Sequence, residues 1–468
     1  MVRCWLPLLV VGLLLTVYAS TMAPGLCWAH QGADGGDLVT AVALGSVPHP
    51  PGFPTYTLLG QLFVQLPWGT PAGRLNLMSA VLAAGAAGLT AAAISRLPDG
   101  CSPIAALCAG LCVGLAPLFW SQGLITEVYS TAAFFSAAVI LLLIADVPCW
   151  ALGLAWGMGL AAHPTVLFLT PFVVQGAWRR SRLSNRVWSA VTAVLAALLT
   201  WTSLYGVMLV TRSPGWSPWA DLSTMEGVLT LISAPLYRGY VFSLPIADWP
   251  QRLLGLVGIL ARQFTPVGAL LAGLGWTSLR KKQPRLAASS LVSFAILCLY
   301  AVGYDTTDSL VYLVPGLPLT AVWLALGLDR IGGWLGKRRP AGRWLIPLLP
   351  LLQLLFLWGP MDVSEDRTAL AWADEVLAKA PPQAVLLTAR DRHTFTLWYE
   401  HEVLGKRSDV AVIDRDLWSW APYRKMVLDE LKLSPADAHR AFSPVEAAAQ
   451  SGRPIIEVYG GFDVASEG

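Results

Sequence analysis

The sequence predicts an α-helical integral membrane protein of about eleven transmembrane helices, with a small α/β domain at its C-terminal end. Three observations carry that prediction. Hydrophobic residues make up 55% of the 468-residue chain and charged ones only 13%, about half the charged share of a soluble domain. Apolar stretches long enough to cross a bilayer recur from residue 5 to residue 360. Beyond 360 the composition turns over: residues 1–360 hold 20 Lys and Arg against 11 Asp and Glu, whereas 361–468 hold 12 against 18. The chain therefore divides into an apolar body, 1–360, and a water-compatible tail, 361–468. Basic residues dispersed among apolar runs do not form the patch a nucleic acid needs, and nucleic-acid binding is excluded on that ground.

The apolar runs fall at 5–27, 75–95, 102–119, 128–145, 149–178, 187–210, 253–279, 286–303, 309–328 and 343–360, most near the roughly 17–25 residues of a spanning helix. The first follows Arg3 and has the look of a signal peptide with a cleavage point near Trp28 and Ala29, but its length favours a span. The run 149–178 is too long for one helix and has His163-Pro164 at its centre. Proline removes a backbone donor and disfavours helix in the residue before it, so this run is expected to be two short spans meeting at a turn. With the N-terminus inside, that split places 15 of the 20 basic residues of the body on the inner side, including Arg179 to Arg186, Arg280 to Lys282 and Lys337 to Arg339. It also gathers Asp34, Asp37, Glu127, Asp221, Glu226, Asp248, Asp305 and Asp308, with His49 and His163, on the outer side. The first outer loop, 28–74, contains a proline-rich stretch, 46–54, followed by an apolar segment, 55–66, too short to span and expected to lie at the outer interface. After 361, strands near 384–388, 410–414 and 455–459 alternate with helices near 367–379, 394–404 and 422–431, the pattern of a small α/β domain on the outer side.

Chemistry-bearing candidates concentrate in the outer segments. Asp37 follows two glycines, Gly35 and Gly36, which would let backbone approach a ligand closely, and its carboxylate suits a general base. Glu127 stands at an outer span edge, and its plain alternative is an interfacial acid. His163 is more readily a structural turn residue than a chemical one, and Asp308 more readily a helix cap. Of the outer arginines, Arg74, Arg212, Arg238, Arg252 and Arg262, any offers a bidentate fork for a phosphate, and spacing does not rank them. The seven cysteines form neither a disulfide framework nor a CxxC metal pattern. Walker, dinucleotide and HExxH motifs are absent from the sequence, so a nucleotide-driven pump or cytoplasmic nucleotide enzyme lacks its signature.

The runs Gly36-Asp37-Leu38, His49-Pro50-Pro51-Gly52-Phe53-Pro54-Thr55-Tyr56 and Arg74-Leu75-Asn76-Leu77-Met78-Ser79-Ala80 resemble the opening signature of a multi-pass membrane family that includes a eukaryotic transmembrane protein O-mannosyltransferase. Trp120-Ser121-Gln122, Thr126-Glu127-Val128-Tyr129, Tyr312-Leu313-Val314-Pro315 and the stretch Asp391 to Tyr399 extend the resemblance along the chain. It implies the GT-C class of inverting glycosyltransferases, which take sugars from polyprenyl-phosphate carriers and keep an essential acid in the first outer loop. Asp37 matches that acid. Gly35 stands where many members carry a polar or acidic residue, so an Asp-x-Asp metal pair is unsupported; Asp34 is three positions from Asp37, which leaves a divalent metal open, and no cofactor is firmly implied.

From this resemblance the chain is expected to be GT-C-like and to transfer a sugar to a protein or glycan acceptor at the outer face of a bilayer, expected to be a bacterial plasma membrane. Asp37 and Glu127 are the catalytic candidates. His49, Arg74, His163, Arg238, Asp308 and His393 are the candidates for substrate binding, with Arg74 or Arg238 as counter-ion to the departing phosphate. A transporter or flippase using the same acids for a solute or protons is the rival reading. A scaffold whose tail binds a partner is a third.

Overall fold

The computed structural model describes residues 2–98, 100–178, 183–213, 215–434, 441–458 and 464–465. Asp99, Arg179, Arg180 and Arg182, which entered the charge reading above, lie outside the described residues.

Helices account for nearly all of the body: α1 (Val2–Thr21), α2 (Gly35–Ala43), α3 (Pro54–Phe63), α4 (Pro71–Ser95), α5 (Pro103–Gly114), α6 (Pro117–Gln122), α7 (Tyr129–Ile144), α8 (Cys149–Ala162), α9 (Thr170–Trp178), α10 (Leu183–Thr211), α11 (Met225–Ser233), α12 (Pro235–Arg238), α13 (Trp249–Gln263), α14 (Thr265–Lys282), α15 (Pro284–Gly303), α16 (Leu317–Arg338) and α17 (Leu348–Met361). Proline opens many of them, as expected where the first-turn N–H groups are unpaired anyway. Among the described residues, five helices are long and apolar enough to cross a membrane, or six if a bent pair counts as one span; five further apolar helices have 10–17 residues.

The run 149–178 breaks at His163, whose backbone is extended, and restarts at Pro164. The run 253–279, read from the sequence as one span, is a correction: α13 and α14 meet at 92°. Thr265 sits at positive φ and Pro266 in the first turn of α14, so the helical ladder cannot run through. The segment 55–66, expected at the interface, forms α3 and buries Thr55, Tyr56 and Thr57.

Small residues set the closest helix pairs. A Cβ at Gly153 or Gly157 of α8 would meet the Ala193 or Ala197 carbonyl of α10 at 2.2 and 2.5 Å, contacts only glycine permits. The centre of the bundle is α4 and α16, whose apolar windows are 72% and 89% buried, while α10 and α17 are 22% and 17% buried and turn leucines and valines outward, as lipid-facing helices do.

The tail contains α18 (Thr368–Lys379), α19 (Asp391–Trp398), α20 (Ala421–Glu430) and α21 (Pro444–Gln450) around a four-stranded sheet. Its strands are β1 (Val385–Thr388), β2 (Ala411–Asp414), β3 (Ile455–Val458) and β4 (Val464–Ala465), in the order β2-β1-β3-β4. β1 is parallel to both β2 and β3, pairing Val385 with Ala411 and Ile455, and β1 and β2 are buried throughout, as strands covered on both faces are. α19 packs on α2. A Cβ at Gly36 would lie 2.3 Å from the Phe395 carbonyl, so the glycine admits a helix of the tail rather than a ligand. That corrects the reading of Gly35-Gly36 as a ligand approach.

Candidate active site

Asp37 lies in the first turn of α2, where a carboxylate complements the helix dipole. The chain reverses after Leu44 through Gly45, at φ +67°, and returns along 46–52, which brings His49 back over the start of α2. Asp37 Oδ2 accepts from the His49 backbone N–H at 2.9 Å and lies 2.7 Å from His49 Nδ1. Its Oδ1 accepts from Trp219 Nε1 at 2.8 Å. The Asp37 carboxylate has no solvent exposure. Asp37, expected as the general base, is thus completely buried, with both oxygens engaged by His49 and Trp219.

Asp34, three residues earlier, keeps 37% of its side chain exposed and lies 3.8 Å from His49 Nε2, the nitrogen that Asp37 leaves free. Burial among protein groups raises its pKa, opposed by His49 and reinforced by Asp308 and Asp37. Burial works against the charge of His49, but Asp34 and then Asp37 outweigh it, and its pKa rises above 6.5. From the tail, Asp391 at the start of α19 faces the same cluster. Burial, Asp34 and Asp414 push its carboxyl up to about 7. Glu127 sits in the break between α6 and α7; burial first, then Asp34 and Asp308, push its carboxyl well above the ordinary range. Five carboxylates thus feel one another around a single histidine. The buried Tyr56 hydroxyl, without a hydrogen-bond partner, senses Glu127 and Asp37. An orphaned buried hydroxyl beside mismatched acids marks a candidate functional site.

Aromatic rings wall the cluster. His49 contacts Phe53 at 5.0 Å and Trp219 and Tyr237 at 6.0 Å between ring centres. His163 stacks on Phe53 and contacts Tyr129 and Tyr312 at 5.2 and 5.6 Å; its Nδ1 is taken by the Thr165 hydroxyl and backbone, the structural turn role that the sequence favoured. Asp308 precedes a short helical turn, 309–316, and joins the cluster electrostatically.

Other candidates stand elsewhere. The three guanidinium nitrogens of Arg74, expected as a phosphate counter-ion, donate to the Trp68, Val64 and Gly69 carbonyls and close the loop after α3. Arg238 is exposed beside Tyr237 and, among the described residues, donates through Nε alone, to the Ser233 carbonyl. His393 is buried between Trp372, stacked at 4.5 Å, and Trp28, which makes it a packing element joining the tail to the first loop. Asp391, two residues before it, is the tail residue that reaches the cluster. The motif residues Asn76 and Thr126 act as fasteners: Asn76 Nδ2 donates to the Ala23 and Gly25 carbonyls and its Oδ1 accepts from Thr126. Trp219 and Tyr237 were not singled out, because nothing in their local sequence marks them among 21 tryptophans and 12 tyrosines. Among the described residues no group of three His, Cys, Asp or Glu side chains is arranged to hold a metal ion.

A helical membrane body with an acid cluster at one end defines the class of fold. Over 88% of this chain and 90% of the other, it is the fold of ArnT from Cupriavidus metallidurans, crystallised with undecaprenyl phosphate, at a TM-score of 0.60 and 14% identity. The Archaeoglobus fulgidus oligosaccharyltransferase matches over 88% of this chain and 65% of its own, at 0.54 and 11%. Residues 34–185 match the family described as Protein O-mannosyl-transferase TMEM260 N-terminal domain, so the resemblance seen in the sequence is to that family. The mouse Protein O-mannosyl-transferase TMEM260 is 25% identical over 92% of this chain, and the Dictyostelium discoideum protein of the same name 20% identical over 86%. The chain spans 65% and 56% of the lengths of these two relatives.

Proposed function

We propose that this protein is a membrane glycosyltransferase that moves a sugar from a polyprenyl-phosphate carrier to a hydroxyl of a polypeptide or glycan acceptor. The observation that carries this reading is the triad of unequal neighbours Asp34, His49 and Asp37: an open carboxylate beside a histidine whose far nitrogen is held by a sealed one. The family match and the fold likeness support the class of reaction. In a single displacement, the acceptor oxygen attacks the anomeric carbon and its proton passes to Asp34. The bond from that carbon to the phosphate oxygen breaks, and the carrier phosphate leaves with the electron pair. A base raised toward neutrality is better matched to that proton than an ordinary aspartate.

The leaving phosphate is already a stable anion and needs positive charge more than a proton. Protonated His49 and the two terminal nitrogens of Arg238 supply it in this reading. Asp37 is a positioning residue that keeps His49 charged and oriented. Glu127, its carboxyl raised first by burial, and Asp308 beside it accept from or donate to sugar hydroxyls. The basic clusters Arg280–Lys282 and Lys337–Arg338 end α14 and α16, whereas Asp308 precedes α16 at its other end. That distribution supports an outward-facing site, with the tail on the same side.

The test is purified full-length protein in nanodiscs with a panel of polyprenyl-phosphate sugars, scored for cleavage and transfer. Cleavage of at least one donor, lost in Asp34→Asn, is expected. No cleavage of any donor, with acid-dependent solute movement in proteoliposomes, returns the transporter reading to the front.

A further inference from the structure

A cavity lies behind the wall of the acid cluster. It has a volume of about 400 Å³ and is lined on one side by Arg212, Ser213 and residues of the loop 215–223 and on the other by α20, within the range of small-ligand sites. Its loop wall is firmly built. Arg212 donates to the Leu209 and Leu222 carbonyls, Ser217 to the Ala220 carbonyl, and Ser46 to the Trp216 carbonyl. Asp221 accepts from the backbone and hydroxyl of Ser223. The opposite wall is Pro422, Lys425, Met426 and Asp429. Lys425 and Asp429 are one helical turn apart and exposed, and among the described residues neither forms an ion pair.

We propose that this groove binds a short polypeptide segment of mixed charge, and so forms a flanking subsite for a protein acceptor. The acceptor role, though not the binding, rests on the transferase reading above. The chemistry of the lining selects the occupant. Cationic Arg212 and Lys425 alternate with anionic Asp221 and Asp429, and four serines, Ser46, Ser213, Ser217 and Ser223, lie between them. Peptides carry side chains of both signs along a backbone of alternating donors and acceptors, which such a lining matches. A neutral oligosaccharide is held by its flat faces against aromatic rings, and among the described residues no aromatic side chain lines this cavity, although Trp216, Trp219 and Trp420 adjoin its walls.

The groove is also joined to the chemistry. Between its lining residues Ser217 and Ala220, Trp219 crosses the wall to donate to Asp37, and its own carbonyl accepts from Trp420 Nε1 of the tail at 2.8 Å. A segment seated against this turn bears on the residue that positions Asp37.

The test is fluorescence anisotropy of labelled serine-containing peptides, with an acidic, a basic or a neutral flank, on full-length protein in nanodiscs without donor. Lys425→Glu should weaken the acidic-flank peptide about tenfold and spare the basic one, and Asp429→Lys should do the reverse, the cost of one charged contact. Both positions are exposed, and size-exclusion profiles check that the variants fold. Absence of peptide binding, affinities blind to both charge changes, or displacement of the peptide by neutral oligosaccharides overturns the proposal. Because binding is read without donor, failure of the transferase reading appears separately, as intact charge-selective binding in a protein that cleaves no donor.

Discussion

The corner around His49 and the corner around Arg407 are both built from charged side chains, and they handle charge in opposite ways. Arg407 gives Nε and Nη2 to the two oxygens of Asp409 and spends its remaining donors on the Leu377, Ala380 and Pro381 carbonyls. Next to it Lys406 bridges Asp374 and the buried Glu400. Each charge meets its opposite, and three carbonyls at and just past the end of α18 meet a donor. Around His49 the sum is lopsided: Asp34, Asp37 and Asp391 share one imidazole, and Glu127 and Asp308 add their charge through Asp34. Matched charges hold a chain in place. Mismatched ones in a desolvated site raise their own free energy, and they persist where a ligand or a reaction uses them.

That contrast is broken most sharply at Asp34. Asp34→Asn should lower transfer by about 10²- to 10⁴-fold, the usual contribution of a placed general base, while the protein inserts and elutes as wild type does. Transfer at the wild-type rate would remove Asp34 from the chemistry. Asp37→Asn should also lower transfer, and it should move the pH profile. The active form needs ionised Asp34, whose pKa lies above 3.8, and charged His49, whose pKa lies above 6.5, so activity rises through the first and falls through the second. Loss of the Asp37 charge lowers the His49 pKa and draws the alkaline limb downward. An unmoved alkaline limb would break the link between the two.

Asp391 sharpens the comparison from the stability side. Its carboxyl titrates at about 7 in the folded protein against 3.8 when unperturbed, so its favourable contribution is complete below 3.8 and is lost as the pH climbs to about 7. Asp391→Asn should therefore gain thermal stability relative to wild type across that window and stay ahead above it. A difference independent of pH would show that Asp391 does not feel its neighbours. In the matched corner, Arg407→Ala should speed proteolysis of the tail by freeing three carbonyls and Asp409, and Asp34→Asn should leave that rate unchanged. The smallest effect is expected at the exposed pair of Lys379 and Glu375 on α18, where Lys379→Ala should cost about 0.3–0.5 kcal/mol or less in thermal unfolding.

The helical body was legible because its signals are local. Apolar length, proline at the start of helices and the His163-Pro164 break are properties of contiguous residues, and the break stands where proline chemistry puts it. The same chemistry was present at Pro266 and was passed over, since the run 253–279 is apolar throughout and a bend leaves no trace in hydropathy. At the site, the motif led to the turn of helix where Asp34 and Asp37 stand together. Asp34 and Asp37 are three residues apart at the start of α2, so spacing alone cannot tell which carboxylate meets open space and which meets Trp219.

By itself the sequence determined that the chain is a membrane-embedded helical bundle with a charged α/β tail, and that most acids of the body fall between its apolar runs, because burying ionised groups within apolar spans is costly. Only the tertiary structure decided what surrounds those acids. The donor that seals Asp37 comes from Trp219, 182 positions away, and the carboxylate that completes the cluster comes from α19 in the tail, admitted by the missing side chain of Gly36. The roles of the acids depend on which distant groups desolvate them and which donors reach them, and those contacts exist only once the helices have packed.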